Sequence, residues 1–127
     1  MSDGDRRHIR ASGSVKPAGA GATDFSPSVE FTMLAHESVR CWGMVMIQKS
    51  ATLQDYLEAT GRFHFAAHRG TGTPAVTAFN TYEADGSLGT EFTITTDANG
   101  LVKVQFTKQD YRGSIWLEGF GCVQAEA

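Results

Sequence analysis

The most constraining feature of this chain is a run of alternating apolar and polar residues that is interrupted by turns. It reads EFTITTDANGLVKVQFTKQDYRGSIWLEGFG and covers residues 91–121. Alternation with a period of two is typical of β-strands that are buried on one face. The Asn99-Gly100 pair tolerates the positive φ of a two-residue hairpin turn. The run therefore predicts an antiparallel meander with one apolar face, and that face needs a second sheet to cover it.

The same pattern extends back along the chain. The segments VEFTMLAHE, VRCWGMVMIQ, RFHFAAH and PAVTAFNTY all indicate strands, whereas SATLQDYLEAT indicates a loop with at most one helical turn. Short strands separated by frequent turns predict an all-β fold, a single antiparallel β-sandwich or small barrel of about seven to eight strands. The length of 127 residues fits one domain, which we place at residues 29–127.

Residues 1–28 differ from this pattern and predict an extended N-terminal arm. The stretch ASGSVKPAGAGATDFSPS is rich in Gly, Ala and Ser and has few large apolar side chains. Such a segment is flexible in isolation, so we expect it to become ordered only in an assembly. Its candidate contact residues are Arg6, Arg7, Ile9, Arg10 and Phe25, with the arginines as polar anchors to an acidic partner.

Charge and hydropathy exclude several functions. The net charge is -3 and the pI is about 5.7, which argues against a nucleic-acid partner because such binding needs a basic surface. No apolar run approaches about 20 residues, so we expect no membrane insertion. The N-terminus lacks the apolar core of a signal peptide, which indicates a protein made in a cytoplasm. Cys41 and Cys122 are expected to be buried free thiols, and a bridge between them stays open if their strands are neighbours.

Residues with catalytic or metal-binding chemistry are scattered rather than arranged in motifs. His64 and His68 have the spacing of a helical zinc pair, but on a strand their rings would lie about 13 Å apart. No serine or threonine lies in a nucleophile elbow, and Glu118 is expected to point outward from an amphipathic strand. We therefore expect no catalytic residue, no cofactor and no metal.

Apolar residues on both faces of two strands indicate a surface that binds a partner. Met44 and Met46 on the second strand, with Trp116 and Phe120 on the last, are the candidate interface residues. Trp42 and Trp116 leave three alternatives open, namely core packing, a subunit interface and the stacking of sugars.

The chain resembles the small all-β accessory proteins of tailed bacteriophage particles in three features. These are the Gly/Ala/Ser arm, the single β-domain without catalytic residues and an end that reads GSIWLEGFGCV. Such accessory proteins include head-decoration, fibre and tail modules. The resemblance implies a homo-oligomer, often a trimer, that binds other virion proteins of a larger shell or tail through its arm. It implies a non-enzymatic structural protein located in the virion. The alternative is a β-sandwich that binds a carbohydrate, such as a surface glycan, or another ligand.

Overall fold

The computed structural model describes residues 5–13, 28–49, 59–85, 92–106 and 111–124. These ranges contain eight β-strands and no helix, which confirms the expected all-β class. The strands are β1 (Asp5–Ser12), β2 (Ser28–Thr32), β3 (Glu37–Lys49), β4 (Ala59–His68), β5 (Ala75–Asp85), β6 (Phe92–Thr96), β7 (Leu101–Phe106) and β8 (Tyr111–Val123). Within the described part of the chain, no helix is long and apolar enough to cross a membrane.

The strands form two antiparallel sheets that pack as a β-sandwich. The larger sheet has the order β1-β8-β3-β4-β5, and the smaller has the order β2-β7-β6. The long strands β3 and β8, of 13 residues each, are neighbours inside the larger sheet. β8 is therefore an inner strand of the larger sheet, because β3 pairs with one of its edges and β1 with the other.

Alternate residues of both sheets fill the space between them. Phe63 of β4 contacts Phe92 of β6 with ring centroids 5.4 Å apart, and Phe92 contacts Phe106 of β7 at the same distance. The first of these contacts joins the two sheets, and the second lies within the smaller sheet. The buried apolar side chains are Ile9, Val29, Met33, Val39, Cys41, Val45, Phe63, Phe65, Ala67, Phe92, Val102, Val104, Phe106, Ile115 and Leu117.

Part of the expected N-terminal arm is a strand of the sandwich. Residues 5–12 pair with β8 along their whole length, and Ile9 is only 3% exposed. The structure differs here from the expectation of an arm that is ordered only in an assembly. The physical reason is that the alternation of Arg7, Ile9 and Ala11 lets this segment bury one side against the core. Residues 14–27, which include Phe25, lie outside the described part of the chain.

A buried carboxylate connects β1 to the rest of the fold. Glu37 is fully buried, and it accepts hydrogen bonds from Arg7 Nε at 2.7 Å and Arg7 Nη2 at 2.8 Å. The Leu34 amide also donates to Glu37 Oε1, at 2.9 Å. Gly121 leaves space for this group, since a Cβ there would overlap the Glu37 carboxylate. We call Arg7, Glu37 and Gly121 the Glu37 clamp.

The turn between β6 and β7 lies where Asn99-Gly100 predicted it, but it is longer than two residues. Gly100 has a φ of 92°, whereas Asn99 does not have the positive φ that a two-residue type I′ turn requires. The cause is Asp97, whose Oδ1 accepts hydrogen bonds from the amides of Asn99 at 2.9 Å and Leu101 at 3.1 Å. An aspartate that binds the backbone in this way builds a wider loop.

The two cysteines are free and lie on opposite faces of the larger sheet. Cys41 is buried on the inner face, while Cys122 is exposed, so only one of the two matches the expectation of buried thiols. Burial raises the pKa of the Cys41 thiol to about 12, and the nearby Glu37 carboxylate adds to this, while Arg7 acts in the opposite direction. Cys41 is therefore a protonated and inert thiol at neutral pH.

We expect a thiol reagent such as iodoacetamide to label one cysteine of the native chain at neutral pH. Cys122 reacts because it is exposed, and Cys41 reacts only after unfolding. Mass spectrometry of the labelled protein checks this, with Cys122→Ser as the control that should take up no label in the native state. Rapid labelling of both thiols without denaturant would contradict the burial of Cys41.

Candidate interaction surface

The side of the larger sheet that faces away from the core carries an unusual set of side chains. We call it the outer face; it is formed by the even-numbered residues of β1, β3, β4 and β8 together with part of β5. Its aromatic and thioether side chains are Trp42, Met44, Met46, Tyr82, Trp116 and Phe120, and its basic and histidine side chains are Arg6, His8, Arg10, Arg40, Arg62, His64 and His68. Among the described acidic side chains, only Glu118 lies on it.

Strand pairing places these residues in rows across the sheet. One row runs Arg10, Glu118, Trp42, His64 and Asn80 from β1 to β5. The neighbouring row on one side contains Trp116, Met44, Arg62 and Tyr82. The neighbouring row on the other side contains His8, Phe120 and Arg40. Residues far apart in the chain therefore share one surface.

Contacts between neighbouring side chains hold several of these rings in place. His8 stacks on Phe120 with centroids 5.2 Å apart and an angle of 23° between the rings, while its Nε2 lies 2.7 Å from Glu118 Oε2. His64 stacks on Tyr82 at 5.4 Å, and its Nε2 lies 2.7 Å from the tyrosine hydroxyl. Phe120 nevertheless remains 58% exposed and Tyr82 48%. These aromatic rings are fixed in position and accessible to a partner.

One part of the outer face is mainly apolar. We call it the apolar end and define it by Trp42, Met44, Met46, Tyr82 and Trp116. A depression of about 370 Å³ is lined by all of these residues except Met46, and it is bordered also by Arg62 and His64. Trp42 is 39% exposed and Met46 38%. The contact of such side chains with water is unfavourable, and a contiguous group of them is typical of interaction sites.

The opposite part of the outer face is polar and positively charged. We call it the basic end and define it by Arg6, Ser38, Arg40, His68 and Phe120. These residues line a second depression of about 370 Å³, in which Ser38 Oγ lies 2.9 Å from His68 Nδ1. The described residues that border this depression include no carboxylate. Within the described ranges, Arg6 and Arg40 form no ion pair.

The structure brings most of the predicted interface residues together. Arg6, Arg10, Met44, Met46, Trp116 and Phe120 all lie on the outer face. Arg7 and Ile9 do not, because their side chains point into the sandwich, where Arg7 binds Glu37 and Ile9 joins the core. They therefore stabilise their own domain. Trp42 and Trp116 also lie on the outer face, so of the three alternatives for these residues core packing is wrong.

The two histidines of the HFAAH segment share the outer face, as expected for a strand. Each interacts with a side chain of a neighbouring strand, His64 with Tyr82 and His68 with Ser38. The described residues contain no group of three or more potential metal ligands. The absence of zinc from the protein stays a prediction.

Sequence reasoning missed Arg40, Arg62 and Tyr82 as members of this surface. Alternation predicts that each points outward from its strand, but outward residues are usually polar, so this position alone does not indicate a binding role. It also missed Glu37, because nothing in the local sequence distinguishes a buried glutamate from an exposed one.

Comparison with known proteins adds no assignment to this geometry, since no family model and no curated protein matches the chain. The functional inference is carried by the side chains of the outer face.

Proposed function

We propose that this is a non-enzymatic structural protein that self-associates and docks onto a larger assembly. The observation that carries the proposal is the apolar end, where Trp42 and Met46 are exposed beside Tyr82, which is itself 48% exposed. Trp, Tyr and Met are enriched at protein interfaces, and burying them removes apolar area from water. The role that agrees best with this surface and with the resemblance noted above is that of a virion component, such as a head-decoration, fibre or tail protein made in the host cytoplasm.

The charge of the outer face supports a ring of copies rather than a twofold pair. Four arginines and one glutamate leave its described side chains with a charge of +3, counting histidine as neutral. A twofold pairing of this face with itself would place two positive surfaces together, which is unfavourable. A head-to-tail contact instead lets the apolar end meet a different surface of the next copy. Such contacts form a ring when the rotation between successive copies closes and a filament when it does not. The proposal is the ring, with a trimer as the smallest one.

The Ser38–His68 pair does not argue for an enzyme. A serine nucleophile needs an imidazole that is itself oriented by a third group and a site that stabilises an oxyanion. Within the described ranges His68 has no carboxylate partner, and its contact with Ser38 lies on the exposed surface of a sheet. The pair provides polar groups for recognition.

Light scattering after size-exclusion chromatography tests self-association. We expect the wild-type protein to have an oligomeric mass at about 100 µM, far above the dissociation constant of a specific complex. The double variant Trp42→Ser/Met46→Ser should shift toward the monomer because it removes exposed apolar contacts. Leu34→Ser is the matched control, since Leu34 is 47% exposed but lies outside the larger sheet. A wild-type protein that stays monomeric would refute self-association.

A specific observation favours carbohydrate binding as the second candidate. Trp42 and Tyr82 are exposed in the same depression as His64, and Asn80 pairs with His64 on the next strand. Aromatic rings beside hydrogen-bonding groups suit the stacking of sugar rings. A glycan array would detect this function, and Tyr82→Ala should abolish the signal. Because Tyr82 also belongs to the apolar end, the same variant should weaken self-association.

A further inference from the structure

We propose that the basic end of the outer face binds single-stranded nucleic acid. Arg6 and Arg40 hold backbone phosphates, and Phe120 stacks on a base. This inference goes beyond the proposed function and does not rest on it, because it uses the opposite end of the outer face. It also departs from the expectation drawn from net charge, which describes the whole chain and not its surfaces.

The charge of the described side chains is unevenly distributed. Those of the outer face carry +3, whereas the other described side chains carry no net charge, since three basic groups (Arg7, Arg69 and Lys103) balance three acidic ones (Glu30, Glu37 and Asp97). The Glu118 carboxylate, the one described acidic group on this face, contacts His8 at 2.7 Å. The screening length is about 8 Å at physiological ionic strength. Charges farther away than this act weakly on a nucleic-acid strand that lies on the outer face, so among the described side chains its electrostatic interaction is mainly with the arginines of that face.

The basic end combines phosphate-binding groups in one depression. Arg6 and Arg40 lie on opposite sides of β8, and Ser38 and His68 border the same space. A guanidinium donates two parallel hydrogen bonds to a phosphate, which makes arginine the preferred partner of such anions. Among the described residues, those that border the depression include no carboxylate, so its described lining offers an anion only neutral and basic groups.

Phe120 supplies the second element of recognition. It is the most exposed of the large apolar side chains of the described chain, and it lies directly opposite Arg40 on the adjacent strand. His8 and Trp42 support its ring at centroid distances of 5.2 and 6.0 Å. Stacking on such a ring contributes about 1–3 kcal/mol per base and needs an unpaired base, which a duplex does not offer.

The combination of ring and arginines favours this occupant over three others. An acidic protein segment would use Arg6 and Arg40 but would leave Phe120 without a planar partner. A neutral glycan would use the ring and leave the arginines unsatisfied. A sulfated polysaccharide would again use only the charges. A single strand of nucleic acid alternates phosphates with planar bases, so it uses both.

Fluorescence anisotropy with a labelled deoxythymidine oligonucleotide of about 12 nucleotides tests the proposal, since single-strand sites span roughly 4–16 nucleotides. We expect binding to the intact protein that weakens as salt is raised from about 50 to 300 mM. Each phosphate contact adds about -0.7 to the slope of log K against log salt. Arg40→Gln should therefore weaken binding and make the slope shallower by about 0.7. Phe120→Ala should weaken binding by about 5- to 150-fold and leave the slope unchanged.

Two control variants address the rest of the surface. Lys103→Gln removes a positive charge from β7 of the smaller sheet, and Leu34→Ala removes an exposed apolar side chain outside both sheets. Neither should change the affinity. Circular dichroism of each variant verifies folding, and the oligomeric mass of the same samples separates this result from the test of self-association.

Three results would overturn the proposal. One is the absence of binding at about 50 mM salt, where electrostatic attraction is strong. A second is equal affinity of the wild-type protein and Phe120→Ala together with displacement by a sulfated polysaccharide, which would show a general attraction for polyanions. A third is binding to a duplex of the same length as tightly as to the single strand.

Discussion

Replacing Glu37 by alanine is expected to lower the free energy of unfolding by about 3–5 kcal/mol. The substitution removes a fully buried carboxylate and the three hydrogen bonds that it accepts, two from Arg7, whose side chain is 34% exposed, and one from the Leu34 amide. The loss of charge-assisted hydrogen bonds to a buried group has a cost of this size. For a chain of this length the melting temperature should fall by roughly 10–20 °C. Urea denaturation at neutral pH measures the change. Glu30→Ala, at an exposed glutamate of β2, is the matched control and should be nearly neutral.

A second substitution tests the geometry of the Glu37 clamp. Gly121→Ala should be destabilising in the wild-type protein, because its Cβ overlaps the Glu37 carboxylate. In the Glu37→Ala background that overlap is absent, so the same substitution should have a much smaller effect. The expected coupling exceeds about 1 kcal/mol, as is usual for residues in contact. Simple additivity of the two effects would show that Gly121 does not accommodate Glu37.

Phe63→Ala is expected to have an effect of similar size, about 3–5 kcal/mol, because it removes a large buried ring and leaves a cavity. Phe63 is 1% exposed and contacts Phe65 of its own strand and Phe92 of the other sheet. The loss therefore weakens the packing between the two sheets. Thermal and urea denaturation both report it.

Phe120→Ala is the internal control for this prediction. The same ring is deleted from the same sheet, but Phe120 lies on the outer face and is 58% exposed. Its removal should change stability by no more than about 0.5 kcal/mol, as is usual for exposed sites. Equal destabilisation by the two substitutions would contradict the assignment of inner and outer faces in β4 and β8.

The same comparison separates folding from function. Phe63 stabilises the sandwich and has no exposed surface through which to bind a partner, whereas Phe120 is accessible and is supported by His8 and Trp42. A variant at Phe120 should thus lose binding while keeping its stability. This is the expected behaviour of a residue whose role is recognition.

Much of the fold could be predicted because the relevant signals are local. Alternation in β6 and β7 identifies Ile94 and Val104 as inward residues, since successive side chains of a strand point to opposite faces. In β8 it places Leu117 and Glu118 on opposite faces but leaves open which face points inward. Asn99-Gly100 marks the position of a turn for a similarly local reason. The length of that turn was not predictable, because it depends on the hydrogen bonds of the Asp97 side chain.

The partial burial of the expected arm shows where local signals fail. Residues 5–12 contain three arginines and only one large aliphatic side chain, a composition typical of a solvated segment. They form a strand because β8 offers a free edge and because the Glu37 carboxylate accepts Arg7. β8 and Glu37 both lie more than 20 positions away in the chain, so the sequence of residues 5–12 alone does not predict this strand.

The sequence by itself determined the all-β class, the position of most strands and which side chains of each strand share a face, because these follow from a period of two and from turn residues. Only the tertiary structure decided that β8 lies between β1 and β3, and therefore that Arg6, Arg40 and Phe120 meet on one surface. Hydrogen bonds between strands involve backbone groups that every residue shares, so they do not specify a partner strand. The order of strands is decided by which arrangement packs the inward apolar faces of the two sheets against each other. The grouping of four described arginines on one face is a consequence of that order, which the net charge of the chain, -3, does not report.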